Sequence, residues 1–260
     1  MQKIALVNQK GGVGKTTTAI NLAAAIAAIG KKALLIDLDP QGNASTGLGI
    51  PQEQRDHSIY QLIFGLTTTE KAIKNTSIKN LDIICSNVDL AAAELDLKDF
   101  VRREYKLVQL LDTLPHYDYV IIDCPPSLGL LTINALSAVD HVIIPMQCEF
   151  YSLEGLAHLL KTLKLIHANY NPNLNILGIV LTMYDARNRL SAEVHREVKK
   201  YLRDKLFDTV IPRNVRLSEA PSHGTAAIAY DHTCKGSIAY IRLAKEILLR
   251  EVQLCKKIPA

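Results

Sequence analysis

Lys3-Ile4-Ala5-Leu6-Val7-Asn8-Gln9-Lys10-Gly11-Gly12-Val13-Gly14-Lys15-Thr16-Thr17-Thr18-Ala19-Ile20-Asn21-Leu22 stands at the head of the chain, and the rest is read from it. The apolar run Lys3–Asn8 has strand character, the glycines interrupt it, and Thr16–Ile29 carries helical spacing. Strand, glycine loop and helix in that order make a phosphate cradle. Backbone N–H groups of Gly11, Gly12, Val13 and Gly14 can turn inward, and the helix start adds the positive end of its dipole. Lys15 is placed for the β- and γ-phosphates, the Thr16 hydroxyl for Mg²⁺ and Thr17 for the α-phosphate. The general loop pattern asks for glycine five places before Gly14. Gln9 stands there instead, and Lys10 adds a second cation.

Working outward, two apolar runs end in acids. Leu34-Leu35-Ile36-Asp37-Leu38-Asp39-Pro40 puts Asp39 just past a second strand, where it can face a terminal phosphate and orient an attacking water. Tyr119-Val120-Ile121-Ile122-Asp123 ends in a carboxylate suited to holding Mg²⁺ through water. Asp37 suits a structural role better, because strand-end acids also cap and tie loops.

Seven short apolar runs, Lys3–Asn8, Ala33–Asp37, Leu81–Ser86, Tyr119–Asp123, His141–Pro145, Asn175–Thr182 and Thr209–Pro212, read as strands. Helix-type spacing fills Thr16–Ile29, Lys106–Leu114, Leu130–Val139, Ser152–Ala168, Ser191–Leu206 and Ser237–Val252. That alternation predicts an α/β chain with a single doubly wound, mostly parallel sheet and helices on both faces. No linker or repeat divides residues 1–260, so one domain is expected. Ile50–Asn80 reads as an irregular insertion, with short helices near Ile59–Phe64 and Thr69–Lys74.

A 48% hydrophobic share with 5% aromatics and no Trp suits strands buried under helices. Five cysteines without a C-x-x-C pair argue against a disulfide framework or a local zinc or cluster site, and a reduced, cytosolic setting is expected. No apolar run is long enough to span a bilayer, and no basic leader precedes the first strand. The net charge of +4 is uneven: from Asp185 onward there are fifteen Lys and Arg against nine Asp and Glu, and before it fifteen against seventeen.

The loop Lys10–Thr17 resembles the deviant Walker A loop of the ParA/MinD group of ATPases. In that group the lysine matching Lys10 reaches the nucleotide of a second subunit, so the resemblance implies ATP, Mg²⁺ and an ATP-dependent homodimer with Lys10, Lys15 and Asp39 as its catalytic set. Val210-Ile211-Pro212-Arg213-Asn214-Val215-Arg216-Leu217-Ser218-Glu219-Ala220-Pro221 is similar to the adenine-side segment of the Soj branch. Pro212 would then pack on the base and Asn214 read its edge. The branch also implies non-specific binding of double-stranded DNA, for which Arg187, Arg189, Arg213 and Arg216 are the candidates, with Lys199, Lys200 and Arg203 on the intervening helix. No base-reading motif accompanies them.

A slow ATPase switch for chromosome or plasmid segregation, nucleoid-associated and stimulated by a ParB/Spo0J-type partner, is the expectation. The extra N-terminal DNA-binding domain of some plasmid relatives is not expected, since the sequence opens on its first strand. Two alternatives share the loop. A MinD-like division-site ATPase needs a lipid-binding tail, whereas the tail Ile247–Lys257 has Glu251 and a short apolar face and is followed by Pro259, so no stable membrane association is expected. A metabolic or redox relative with a bound cluster needs paired cysteines, and Cys124 beside Asp123 stands alone.

Overall fold

The structure, a computed structural model, describes residues 1–256 and the side chains of residues 1–252. Seven strands form one sheet: β1 (Gln2–Leu6), β2 (Ala33–Asp37), β3 (Ile73–Asn75), β4 (Leu81–Ile84), β5 (Tyr119–Asp123), β6 (His141–Gln147) and β7 (Asn175–Thr182). Their order is β3-β4-β2-β5-β1-β6-β7, parallel throughout except for β3 against β4. The five longer helices are α1 (Lys15–Ala28), α2 (Leu130–Ala138), α3 (Ser152–Asn169), α4 (Arg189–Leu202) and α5 (Lys235–Lys256).

Because side chains alternate across a strand, each strand feeds two cores. Ile4, Leu35 and Ile121 face Leu22 and Ile26 of α1 and Leu243 and Ile247 of α5. Ala5, Ile36 and Ile122 face Leu131 and Ala135 of α2, Leu159 and Leu163 of α3, and Val194 and Val198 of α4. Covering both faces explains why β2 and β5 are buried at every position and read as unbroken apolar runs. Each fully buried Leu or Ile here contributes about 1.5–3 kcal/mol of transfer free energy. α1 is also pinned by polar contacts. The Thr18 hydroxyl meets the Tyr240 hydroxyl at 3.1 Å, and Asn21 accepts from the Ala227 N–H at 2.8 Å.

Three local expectations change. The helix expected over Thr69–Lys74 stops at Ala72, and Ile73–Asn75 becomes the edge strand β3, so part of the expected insertion joins the sheet. An antiparallel partner needs only a short turn, and Asn80 with φ 65° helps make it before β4. Thr209–Pro212 is no strand. It touches the sheet through the Ile211 N–H to the Leu181 carbonyl and an isolated bridge from Tyr184 to Pro212, where the proline ring has no N–H to extend a ladder. Helix α4 begins at Arg189 because the Asn188 side chain caps it, accepting from the Leu190 N–H, and it ends at Leu202. No helix among the described residues is long and apolar enough to cross a membrane. Lys257 and Pro259 of the tail lie outside the described residues.

Candidate nucleotide site

From β1 the chain crosses through α1 to β2, on one side; from β5 it crosses through α2 to β6, on the other. The adjacent carboxyl ends of β1 and β5 therefore open a crevice, the usual ligand position in such sheets. A cleft of about 830 Å³ lies there, lined by the glycine loop with Lys15, Thr16 and Thr17, by Asp39, and by Pro125, Pro126 and Met183. Strand register brings the acids together: Asp123 is the cross-strand partner of Leu6 on one side and of Asp37 on the other.

Gly12 (φ 73°) and Gly14 (φ 82°) take left-handed conformations that turn the loop back on itself before α1. Four contacts outside the loop hold that shape. Asn8 accepts from the Lys10 N–H at 3.0 Å and donates to the Pro145 carbonyl at 2.7 Å. Thr182 donates to the Val13 carbonyl at 2.8 Å, and Gln147 donates to the Gly12 carbonyl at 3.0 Å. The Lys15 ammonium curls inside the loop and donates to the Lys10 carbonyl at 3.1 Å. Lys15 is buried, and that burial lowers its pKa against the opposing pull of Asp123, Cys124 and Asp39. A negative ligand in the cleft would supply the missing counter-charge.

Among the three carboxylates only Asp37 is fully engaged. It accepts from the Ser45 N–H at 2.8 Å, the Ser45 hydroxyl at 2.7 Å and the Asp39 N–H at 3.3 Å. Ser45 in turn accepts from the Ser86 N–H at 3.0 Å, so Asp37 ties the loop after β2 to the end of β4. Burial raises the Asp37 carboxyl to about 6, with the Ser45 hydrogen bonds acting the other way. A carboxyl whose folded pKa exceeds its unfolded one holds its proton more tightly in the native state. Without Mg²⁺, stability is then expected to fall by about 2–3 kcal/mol as pH rises from about 4 to above 6. Asp37→Asn is expected to lose that much less across the window in urea titrations at pH 4 and 7. An identical pH dependence in the variant would show that Asp37 is not the titrating group.

Asp123 is fully buried, and neither carboxylate oxygen has a hydrogen-bond partner among the described residues. Burial, then the Asp37 charge, raises its pKa well above the carboxylate range. The nearby Thr16 hydroxyl and Lys15 ammonium pull it down, although Thr16 does not reach hydrogen-bonding geometry. Two orphaned oxygens beside a threonine hydroxyl suit a divalent cation. Among the described residues no group of three or more His, Cys, Asp or Glu side chains forms an all-protein cage. That fits Mg²⁺, which takes few protein ligands and completes its octahedron with phosphate and water. Asp39, nearly buried, accepts from the Gln41 N–H at 3.0 Å and borders the cleft. The Cys124 thiol, raised by burial and by Asp123, stays protonated.

Other expected residues sit farther out. Val13 is in the core. Lys10 projects at the rim, where its ammonium is paired with Glu149 just past β6. Pro212 and Asn214 lie outside the cleft lining, joined to it through Tyr184, the neighbour of the lining Met183. Asn214 caps the short helix Val215–Glu219, accepting from the Arg216 N–H at 2.9 Å. Arg187 is paired with Asp185 at 2.9 Å, Arg189 with Glu193 at 3.2 Å, and Arg216 with Glu219 at 2.7 Å and Asp231 at 3.5 Å. Arg213 has no ion pair among the described residues, and its N–H donates to the Tyr184 carbonyl at 3.2 Å.

Sequence reasoning missed Gln147, Glu149 and Thr182, which come from the distant strands β6 and β7 and carry no local motif, and it missed the bracing role of Asn8, whose partner Pro145 is likewise distant. Met183, expected as core or pocket wall, is pocket wall, with φ 49°.

A family model described as "AAA domain" matches residues 1–176. The chain is 54% identical over 245 residues to the sporulation initiation inhibitor protein Soj of Bacillus subtilis, covering 94% of this chain and 97% of that one. It is 50% identical over 254 residues to the chromosome partitioning protein ParA of Caulobacter vibrioides, covering 96% and 95%. Among solved structures, cobyrinic acid a,c-diamide synthase from Mycobacterium smegmatis with bound ADP and magnesium superimposes with TM-score 0.86 at 35% identity, covering 100% and 98%. The cell division ATPase MinD of Pyrococcus furiosus does so with TM-score 0.79 at 28% identity, covering 95% and 98%. With half its residues identical to Soj and ParA over nearly its full length, the chain belongs to the Soj/ParA family.

Proposed function

We propose that the chain is a single ATPase domain acting as an ATP-dependent dimerising switch in chromosome or plasmid partition, nucleoid-associated in the cytoplasm. The observation that carries the reading is the orphaned, buried Asp123 carboxylate below a glycine loop holding Lys15. The loop N–H groups and Lys15 bind the phosphates, and Thr16 with Asp123 hold Mg²⁺, which when bound neutralises phosphate charge. Thr17 takes the α-phosphate, Pro212 and Asn214 the base. Asp39 orients the attacking water. Lys10, released from Glu149, crosses to the nucleotide of a second copy, where its charge lets two polyphosphates approach. The dimer binds duplex DNA non-specifically, and a ParB/Spo0J-type partner stimulates hydrolysis and release. Identity of 54% to Soj, against 35% to the diamide synthase, favours the switch over a metabolic ligase.

The test is size-exclusion chromatography with ATP and Mg²⁺, with ADP, and without nucleotide. Dimer is expected with ATP alone. Lys10→Ala is expected to keep ATP binding and lose the dimer; normal dimerisation of this variant would overturn the role of Lys10. Gly11→Val is expected to behave likewise for a different reason. A Cβ at Gly11 meets nothing within 4 Å in one subunit, so the monomer has room for the start of a side chain, and the obstruction is expected against a second subunit. Parental dimer yield from Gly11→Val would remove that steric argument.

A further inference from the structure

Past Asp39 the chain turns through Pro40, Gln41 and Gly42 and enters the short helix Asn43–Gly47. The Gly42 N–H closes that turn by donating to the Asp39 carbonyl at 2.9 Å, and Gly42 takes φ 62°. Gln41 and Asn43 stand with Asp39 in the wall of the nucleotide cleft. Asp37 ties the short helix to the sheet through Ser45. A second tie comes from Arg55, at the end of the turn Gln52–Gln54 in the segment that reads in sequence as an insertion.

Arg55 is only 6% exposed, and among the described residues no carboxylate pairs with it. Its donors go to neutral oxygens instead. Nη1 donates to the Gly42 carbonyl at 3.3 Å, Nη2 to the Thr46 hydroxyl at 2.8 Å and to the Ile50 carbonyl at 2.6 Å, and Nε to the Ile50 carbonyl at 3.1 Å. The Thr46 hydroxyl donates on to the Gly42 carbonyl at 3.1 Å, so guanidinium, hydroxyl and carbonyl form a closed ring.

A buried cation without a counter-charge is expensive unless its donors are satisfied, and hydrogen bonds to a charged donor are stronger than neutral ones. Moving the Gly42 peptide therefore breaks several charge-assisted contacts at once. Gly42 is fitted to the guanidinium: a Cβ there would stand 2.6 Å from the Arg55 Nη1 and 3.3 Å from the Ser86 carbonyl. The peptide so held is the far end of the turn whose Gln41 N–H anchors the Asp39 carboxylate at 3.0 Å. Orienting an attacking water demands such fixity, since a misplacement of about 1 Å costs about 10²-fold in rate. Arg55 lies outside the cleft lining. It borders a separate depression that shares only Gln41 with the cleft, so its effect on the reaction passes through the loop.

Resting on the water-orienting role of Asp39 in the proposed function, we infer that Arg55 is a positioning residue for hydrolysis, clamping Gly42 and Thr46 so that the turn holds the Asp39 carboxylate in place. The segment Ile50–Arg55 thereby sets the turnover rate of a site that it does not line.

The experiment is single-turnover hydrolysis by the full chain with ATP and Mg²⁺, with ATP affinity, dimer yield and thermal denaturation read on the same samples. Arg55→Ala is expected to slow hydrolysis by about 10–30-fold while ATP affinity stays within about 3-fold and the dimer forms. On an Asp39→Ala background, Arg55→Ala is expected to slow hydrolysis by less than about 2-fold more, because the group it positions is gone. Thr46→Val, which removes one acceptor and keeps the guanidinium, is expected to slow hydrolysis by about 3-fold. It decides the question if Arg55→Ala does not fold. Parental hydrolysis in folded Arg55→Ala or, failing that variant, in Thr46→Val would overturn the clamp and leave the Asp39 role standing. So would a loss of ATP affinity as large as the loss of rate, or independent, multiplying losses in the double variant. Parental hydrolysis in Asp39→Ala would overturn the Asp39 role and the clamp together.

Discussion

Lys15→Ala is expected to lose ATP binding by about 10²–10³-fold. Lys15 is 7% exposed and its ammonium already points into the loop, donating to the Lys10 carbonyl at 3.1 Å. Its burial costs free energy in the absence of ligand, as its lowered pKa records. Nucleotide phosphates reverse that cost, because a desolvated cation paired with a multiply charged anion through short hydrogen bonds is worth far more than an exposed pair. Removing one member of such a buried pair costs about 3–5 kcal/mol. The fold is expected to survive, since alanine relieves the buried charge and keeps the helix start intact. Isothermal titration with ATP and Mg²⁺, beside thermal denaturation of the same sample, separates the two effects. Parental ATP affinity in a folded variant would remove Lys15 from the phosphate site.

Asp39→Ala is expected to slow hydrolysis by about 10²–10⁴-fold while the ATP dimer accumulates and persists. The Asp39 carboxylate spends one oxygen on the Gln41 N–H at 3.0 Å and lies in the wall of the cleft, nearly shielded from bulk water. It is the one carboxylate of the three that combines access to the cleft with a fixed backbone anchor. Asp37 is consumed by Ser45, and Asp123 lies beneath the loop. Losing the Gln41 bond costs about 1 kcal/mol of local stability, too little to unfold the loop. Phosphate and Mg²⁺ contacts stay in place, so binding and dimerisation survive while turnover does not. Single-turnover hydrolysis, together with dimer lifetime by size exclusion, reads both. Parental turnover would transfer the water-orienting role elsewhere.

Local sequence determined the elements whose cause is itself local. Gly11–Gly14 between an apolar run and an amphipathic one can only be strand, loop and helix, and β2 and β5 declare themselves by unbroken burial up to Asp37 and Asp123. The phosphate loop, the helix order and the two-sided sheet were therefore legible, together with Lys15, Thr16, Asp39 and Asp123 as candidates. Tertiary structure decided what depends on partners far along the chain. Whether Ile73–Asn75 is helix or strand turned on β4 offering a free edge, and Thr209–Pro212 stayed out of the sheet because Pro212 cannot donate. The division of labour among acids was likewise invisible in sequence. Asp37 and Asp123 end similar strands, yet Ser45 fills the acceptors of one and, among the described residues, nothing fills those of the other. So was the division among cations, since Arg189 and Lys199 look alike until folding sets Glu193 against the first and leaves the second without an ion pair among the described residues. Backbone preference acts over a few residues, whereas hydrogen-bond satisfaction and charge cancellation depend on which side chains the sheet order brings together.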